Sequence, residues 1–201
     1  MQDVYTEFTS RHKSVLITGA PGTGKTTLCD LLVDIGYIPS PNHLSRQPRV
    51  DEKDGVHGIF IDEHMFYNNF QQNMYLEPDI DSTYYSGVYY GTPRVWLEQI
   101  SSPELPPIVA TPANTLVIYS LSKLLQDKNA RDQLTWVNLY ADLEIRKARI
   151  ESRTHSMAQL AARLTTGVSQ GVQLQADVNI NTGVNDRAAM LNTALRVSEI
   201  T

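Results

Sequence analysis

A single cysteine, Cys29, stands among 201 residues, so the chain can close no disulfide of its own and cannot build a Cys-rich zinc site. It falls in an apolar stretch and is expected to pack as a small buried hydrophobe. No apolar run is long enough to cross a bilayer, and Met1-Gln2-Asp3-Val4 lacks the charged and apolar regions of a signal peptide, which points to the cytoplasm. Positive charge is scarce as well. The net charge of -5 argues against a nonspecific hold on nucleic acid or an anionic membrane, although a few local arginines can still dominate one cleft. Internal repeats, low-complexity tracts and linker-like stretches are missing too. What is present suits one domain over 1–201, as a monomer or homodimer.

Hydrophobic patterning alternates between strand and helix. Ser14–Thr18 is a short β-branched run that reads as a buried strand, and Thr26–Ile35 reads as a helix stopped by Gly36. The first 12 residues are a polar lead-in. Residues 38–60 are turn-rich, with Pro39, Pro41, Pro48, Gly55 and Gly58, and 61–98 predict short strands and helices. Pro106–Thr111 and Thr135–Tyr140 are further core strands, and Asp177–Asn181 a last short one. Helices are expected over 114–126, 143–152, 158–164 and 186–198. Strands alternating with helices predict an α/β fold with a parallel sheet covered on both faces.

Between the first strand and the first helix lies Gly19-Ala20-Pro21-Gly22-Thr23-Gly24-Lys25-Thr26, which meets the pattern G-x-x-x-x-G-K-[ST] of a phosphate-binding loop. Glycines allow backbone N–H groups to approach phosphate oxygens, and the helix that begins there adds its positive end. Lys25 can reach the outer phosphates and the Thr26 hydroxyl can enter a Mg²⁺ shell. The donor-binding set is therefore Gly19, Pro21, Gly22, Thr23, Gly24, Lys25, Thr26 and Thr27, with ATP as the expected donor.

Two further clusters suit a second anion. Arg46 and Arg49 lie three apart in a proline-held stretch and can converge on one phosphate through their planar forks. Tyr84, Tyr85, Tyr89 and Tyr90 offer hydroxyls and ring faces. The order of cradle, then Arg46-Gln47-Pro48-Arg49 with Glu52 and Gly55, then Tyr89-Tyr90-Gly91-Thr92 resembles guanylate kinases. The resemblance implies a three-layer P-loop fold with core near 13–37 and 104–201, an acceptor-binding region near 38–98 and a lid near 149–168. It implies an acceptor site of Ser45, Arg46, Arg49, Glu52, Tyr90 and Thr92, with GMP or dGMP as acceptor. It also implies lid arginines at Arg149, Arg153 and Arg163, acting with Lys25 in transfer, and Asn181 against the adenine of ATP.

The match departs from the family pattern in three places. Gly58 stands where the family has a tyrosine, with His57 beside it as a substitute contact. The strand ending at Thr111 lacks the family's aspartates, leaving Thr111 and Asn114 as the nearest polar groups. The stretch 66–81 looks lengthened, so the glutamate that reads the base has Glu77, Asp79 and Asp81 as candidates, and Asp81 or Glu52 is the expected reader. These changes bear on the base more than on the phosphates. They leave open a different or modified nucleotide as acceptor, of the sort viruses make for their DNA, and also a non-catalytic binding module, against which the intact Lys25-Thr26 pair speaks.

Overall fold

β1 (Ser14–Gly19) lies at the centre of a parallel sheet, hydrogen-bonded on one side to β7 (Ile108–Ala110) and on the other to β8 (Leu134–Tyr140). The computed structural model describes residues 12–49, 52–85, 87–102, 104–111, 126, 128–152, 176–184 and 187–198. The helix expected over 158–164 and nearly all of that over 114–126 lie outside these residues, as do Arg153 and Arg163. Among the described residues the large sheet runs β2 (Ile38–Ser40), β7, β1, β8, β9 (Val178–Asn181), all parallel. β2 was not anticipated because it contains Pro39. At the edge of a sheet one face of the backbone needs no partner, so a proline is tolerated there.

Alternation along the strands divides the core. Val15 and Ile17 point with Val109, Val137, Leu139 and Ile180 towards α1 (Lys25–Asp34) and α6 (Arg187–Ser198), meeting Leu28, Leu32, Met190 and Ala194. Leu16, Ile108, Ala110, Leu134 and Trp136 face the other way, against Leu76 and against Trp96 and Ile100 of α3 (Val95–Ser101). Cys29 is buried in the first of these layers, and burial, reinforced by the Asp30 charge, pushes its thiol up to about 12. It is therefore a packing residue and not a nucleophile. α1 ends where the backbone N–H groups of Gly36 and Tyr37 bond back to Val33 and Leu32, with Gly36 at φ 118°.

Residues between β2 and β7 form a smaller lobe. Its sheet runs β4 (Ile59–Phe60), β3 (His43–Leu44), β6 (Val88–Gly91), β5 (Tyr84–Tyr85) and is mixed in direction. α2 (Glu63–Gln71) starts at Asp62, whose carboxylate accepts the Met65 N–H at 2.7 Å. It buries Phe66, which stacks on Tyr75 with ring centroids 4.8 Å apart. A 3-10 turn (Asp81–Thr83) leads into β5. The remaining helices, α4 (Lys128–Asp132) and α5 (Leu143–Glu151), flank β8 in sequence. Among the described residues no helix is long and apolar enough to cross a membrane.

Candidate active site

The cradle leaves the carboxyl end of β1 and turns into α1, the position at which open parallel sheets bind ligands. Gly22 and Gly24 have φ of 83° and 89°, and Thr23 tightens the turn by donating its hydroxyl to the Ala20 carbonyl at 2.7 Å. Gly22 is required for space as well as conformation. A Cβ there would lie 2.8 Å from the Arg146 carbonyl, because α5 rests against the loop. Lys25 folds back to donate to the Gly19 carbonyl at 2.7 Å and the Ala20 carbonyl at 3.2 Å. Burial, and secondarily the Arg146 charge, push its ammonium down to about 8. The Thr26 side chain is exposed at the start of α1.

α5 delivers two arginines to the carbonyls of the same loop. Arg146 is buried and donates from Nε to the Pro21 carbonyl at 2.9 Å. Arg149, expected to arrive from a lid, is already docked. It donates to the Gly22 carbonyl at 3.2 Å and to the hydroxyl and carbonyl of Thr182 at 3.0 and 2.6 Å. Asn181, expected at the adenine, accepts the Gly183 N–H at 2.9 Å and so shapes the turn after β9.

The acceptor cluster is gathered in the small lobe. Arg46 makes a bidentate pair with Glu52 at 2.6 and 2.8 Å, and its guanidinium lies 5.2 Å from the centre of the Phe60 ring. Glu52 also accepts the backbone N–H of Arg49 at 2.9 Å and its guanidinium at 3.2 Å. Tyr90 lies close enough to Arg46 to favour its charged form. Burial works against the Arg46 charge, but the bonds and charge of Glu52, with Tyr90 nearby, outweigh it and hold the guanidinium above its usual range. Burial likewise works against the Glu52 charge, but the arginines outweigh it and hold the carboxyl below the usual carboxylate range. The Ser45 hydroxyl accepts the Tyr89 N–H at 2.9 Å and fixes β6 beside the clamp. Glu52 thus faces the arginines and not a base, contrary to one expectation for it.

Asp81 does not fit the other expectation, because it is exposed at the start of the 3-10 turn. Glu77 is the buried carboxylate. Both its oxygens accept the Thr92 N–H, at 3.1 and 3.0 Å, and Thr92 is itself fully buried. Leu76 N–H bonds the Thr92 carbonyl at 2.9 Å, so the two segments are locked side by side. The sequence held one signal for this: Glu77 follows the apolar Tyr75-Leu76 pair, whereas Asp79 and Asp81 sit among turn residues. Near this pair, Tyr75 receives Asn69 and bonds His43 at 2.9 Å. Burial lowers His43 from its ordinary value, so the imidazole is neutral at pH 7.

His57 does not replace the family tyrosine. Its Nδ1 accepts the Lys53 N–H at 2.9 Å, which places the proton on Nε2, and Nε2 donates to Asp30 of α1 at 3.0 Å. Gly58 is held small by its neighbours: a Cβ there would collide with Leu44 Cδ1 and lie 2.9 Å from Phe60 Cζ. Gly58→Ala should therefore lower stability by about 1–3 kcal/mol through overpacking, measurable by urea unfolding. Thr111 closes the region, its carbonyl accepting the Asn42 amide at 2.6 Å.

The guanylate kinase family model matches residues 11–109. A guanylate kinase of Desulfitobacterium hafniense (strain Y51) is 36% identical over 87 residues, 42% of each chain. One of Methylobacillus flagellatus (strain ATCC 51484 / DSM 6875 / VKM B-1610 / KT) is 39% identical over 79 residues, 38% of this chain and 37% of that one. These matches therefore span about two-fifths of the relatives' length. The crystal structure of guanylate kinase from Anaplasma phagocytophilum superposes with a TM-score of 0.58 at 17% identity, over 94% of this chain and 84% of that one. The family model stops at β7, before the arginines of α5, and from there on the likeness is one of fold. Residues 11–109 thus resemble the guanylate kinase family in sequence, and nearly the whole chain has the P-loop fold of a guanylate kinase.

Proposed function

We propose that the chain is a nucleoside monophosphate kinase that moves the γ-phosphoryl group of ATP to GMP, dGMP or a close relative. The observation that carries this reading is the arginine–tyrosine clamp of Arg46, Arg49 and Tyr90, built in a lobe that His57 ties to the cradle's own helix. A nest for a triphosphate and a clamp for a second phosphate are what phosphoryl transfer between nucleotides requires.

The acceptor's phosphate takes the place of the Glu52 carboxylate between Arg46 and Arg49. An acceptor oxygen forms a bond to the γ-phosphorus as the bond from that phosphorus to the β–γ bridging oxygen breaks, leaving ADP and a nucleoside diphosphate. The acceptor phosphate is already ionised, so no general base is needed. Lys25 and the backbone N–H groups of the cradle hold the donor. Mg²⁺ fits this set, because the exposed Thr26 hydroxyl at the loop exit would supply one ligand for the ion beside the phosphates. When bound it neutralises charge on the outer phosphates. Arg149, docked on Gly22, adds charge beside the loop. Arg153 and Arg163 complete the proposed catalytic set.

Glu77 is the base reader in this proposal. A buried carboxylate beside Thr92 suits a purine edge that presents N–H donors, and a base without them gives its remaining lone pairs nothing to accept. Glu77→Gln should lower kcat/KM for GMP by about 10²–10³-fold while leaving ATP affinity unchanged. The decisive assay is ADP formation with GMP, dGMP, dAMP, dCMP and dTMP. Turnover with GMP or dGMP supports the proposal. Turnover with a different acceptor alone supports the alternative raised by Thr111, which stands where the family has a carboxylate. Turnover with none points to a binding module.

A further inference from the structure

Three cations surround the carbonyls of the cradle: Lys25 on Gly19 and Ala20, Arg146 on Pro21, and Arg149 on Gly22. Among the described residues none of the three is paired with a carboxylate. Every other arginine–carboxylate contact described here lies elsewhere, at Glu52 or Asp177. Arg146 is the most telling of the three. It is 4% exposed, Nε is satisfied by Pro21, and Nη2 is buried with no hydrogen-bond partner. A guanidinium N–H left unpaired in the interior is unfavourable unless an acceptor arrives. Its charge is close enough to lower that of Lys25, so the two groups share one local environment.

We infer that Arg146 is a donor-side phosphate ligand, whose Nη2 takes a phosphate oxygen of the bound triphosphate while Nε keeps hold of Pro21. The inference rests on the donor half of the proposed function and needs nothing of the acceptor. Two cations side by side without a counter-ion repel one another in the empty protein, and a polyanion between them removes that repulsion. The same side chain then reports donor binding to the loop, because Pro21 and the phosphate share one rigid fork.

The test uses the full chain and inorganic tripolyphosphate, which has no base or sugar. Arg146→Gln should weaken tripolyphosphate binding about tenfold or more, and Arg146→Lys about fivefold, since a single ammonium cannot hold Pro21 and a phosphate together. Binding of GMP alone should be unchanged in both. In the unmodified protein, the Arg146 guanidinium NMR signals should shift and become protected from exchange as tripolyphosphate is added, a readout that needs no variant to fold. Wild-type tripolyphosphate affinity in either folded variant, or guanidinium signals that stay in place at saturation, would overturn the assignment. A responsive Arg146 without transfer to any monophosphate would sink the kinase reading and leave this one standing.

Discussion

Lys25→Met should abolish phosphoryl transfer, by about 10³-fold or more, and should raise the melting temperature of the ligand-free protein. The first effect follows from the proposed role of Lys25 in the nest, where its ammonium would meet the outer phosphates as charge accumulates during transfer. The second follows from its ionisation. Burial and Arg146 hold its ammonium near 8, down from the ordinary value of 10.5, so the folded chain binds that proton less tightly than the unfolded chain does. The unfavourable contribution is fully present below about 8 and disappears as the pH rises from there towards 10.5. Removing the charge should stabilise the protein by about 1–2 kcal/mol at neutral pH, allowing for partial exposure of the side chain, and by almost nothing at pH 10.5. Calorimetry at pH 7 and pH 10 separates the two. A variant less stable than wild type at pH 7 would refute the argument. In the unmodified protein, affinity for ATP should fall as the pH rises above about 8, as Lys25 loses its proton.

Arg46→Met should raise the KM for the acceptor about 10²–10³-fold while leaving ATP affinity intact. A bidentate arginine–phosphate contact cannot be replaced by water without loss of both charge and geometry. The substitution also strips Glu52 of its strongest partner, so with only Arg49 left to oppose burial its carboxyl should move back up towards the ordinary value. In the wild-type protein, Glu52 contributes stability that is present above the ordinary carboxylate value and is lost as the pH falls through its depressed one. In Arg46→Met that acid-dependent loss should be smaller, because only Arg49 remains to hold the carboxylate. An acceptor KM close to wild type would remove Arg46 from the site.

How much of this could be read beforehand depended on how local the physics was. The cradle is a contiguous motif whose flanking strand and helix follow from β-branched and apolar spacing alone, and Ser14–Gly19 and Lys25–Asp34 lie within a residue or so of expectation. The arginine pair was legible for the same reason. Glu77 was not singled out, since its partner Thr92 is fifteen residues away and only the folded lobe brings them together. β2 was hidden by Pro39, whose cost depends on being at an edge, a property of the sheet and not of the segment. Arg149 shared a sequence pattern with Arg153, but helical geometry set it on Gly22 and Thr182. His57 looked like a stand-in for a lost tyrosine, and its bond to Asp30 could not be inferred from residues twenty-seven apart.

That last bond has a consequence for how the two halves of the molecule communicate. Asp30 lies one and a half turns along the helix whose first residue is Lys25, and His57 closes the loop that begins just after Glu52. If the proposed kinase reading holds, a shift of the Arg46–Glu52 segment on acceptor binding would be passed to the helix after the cradle through the His57–Asp30 bond.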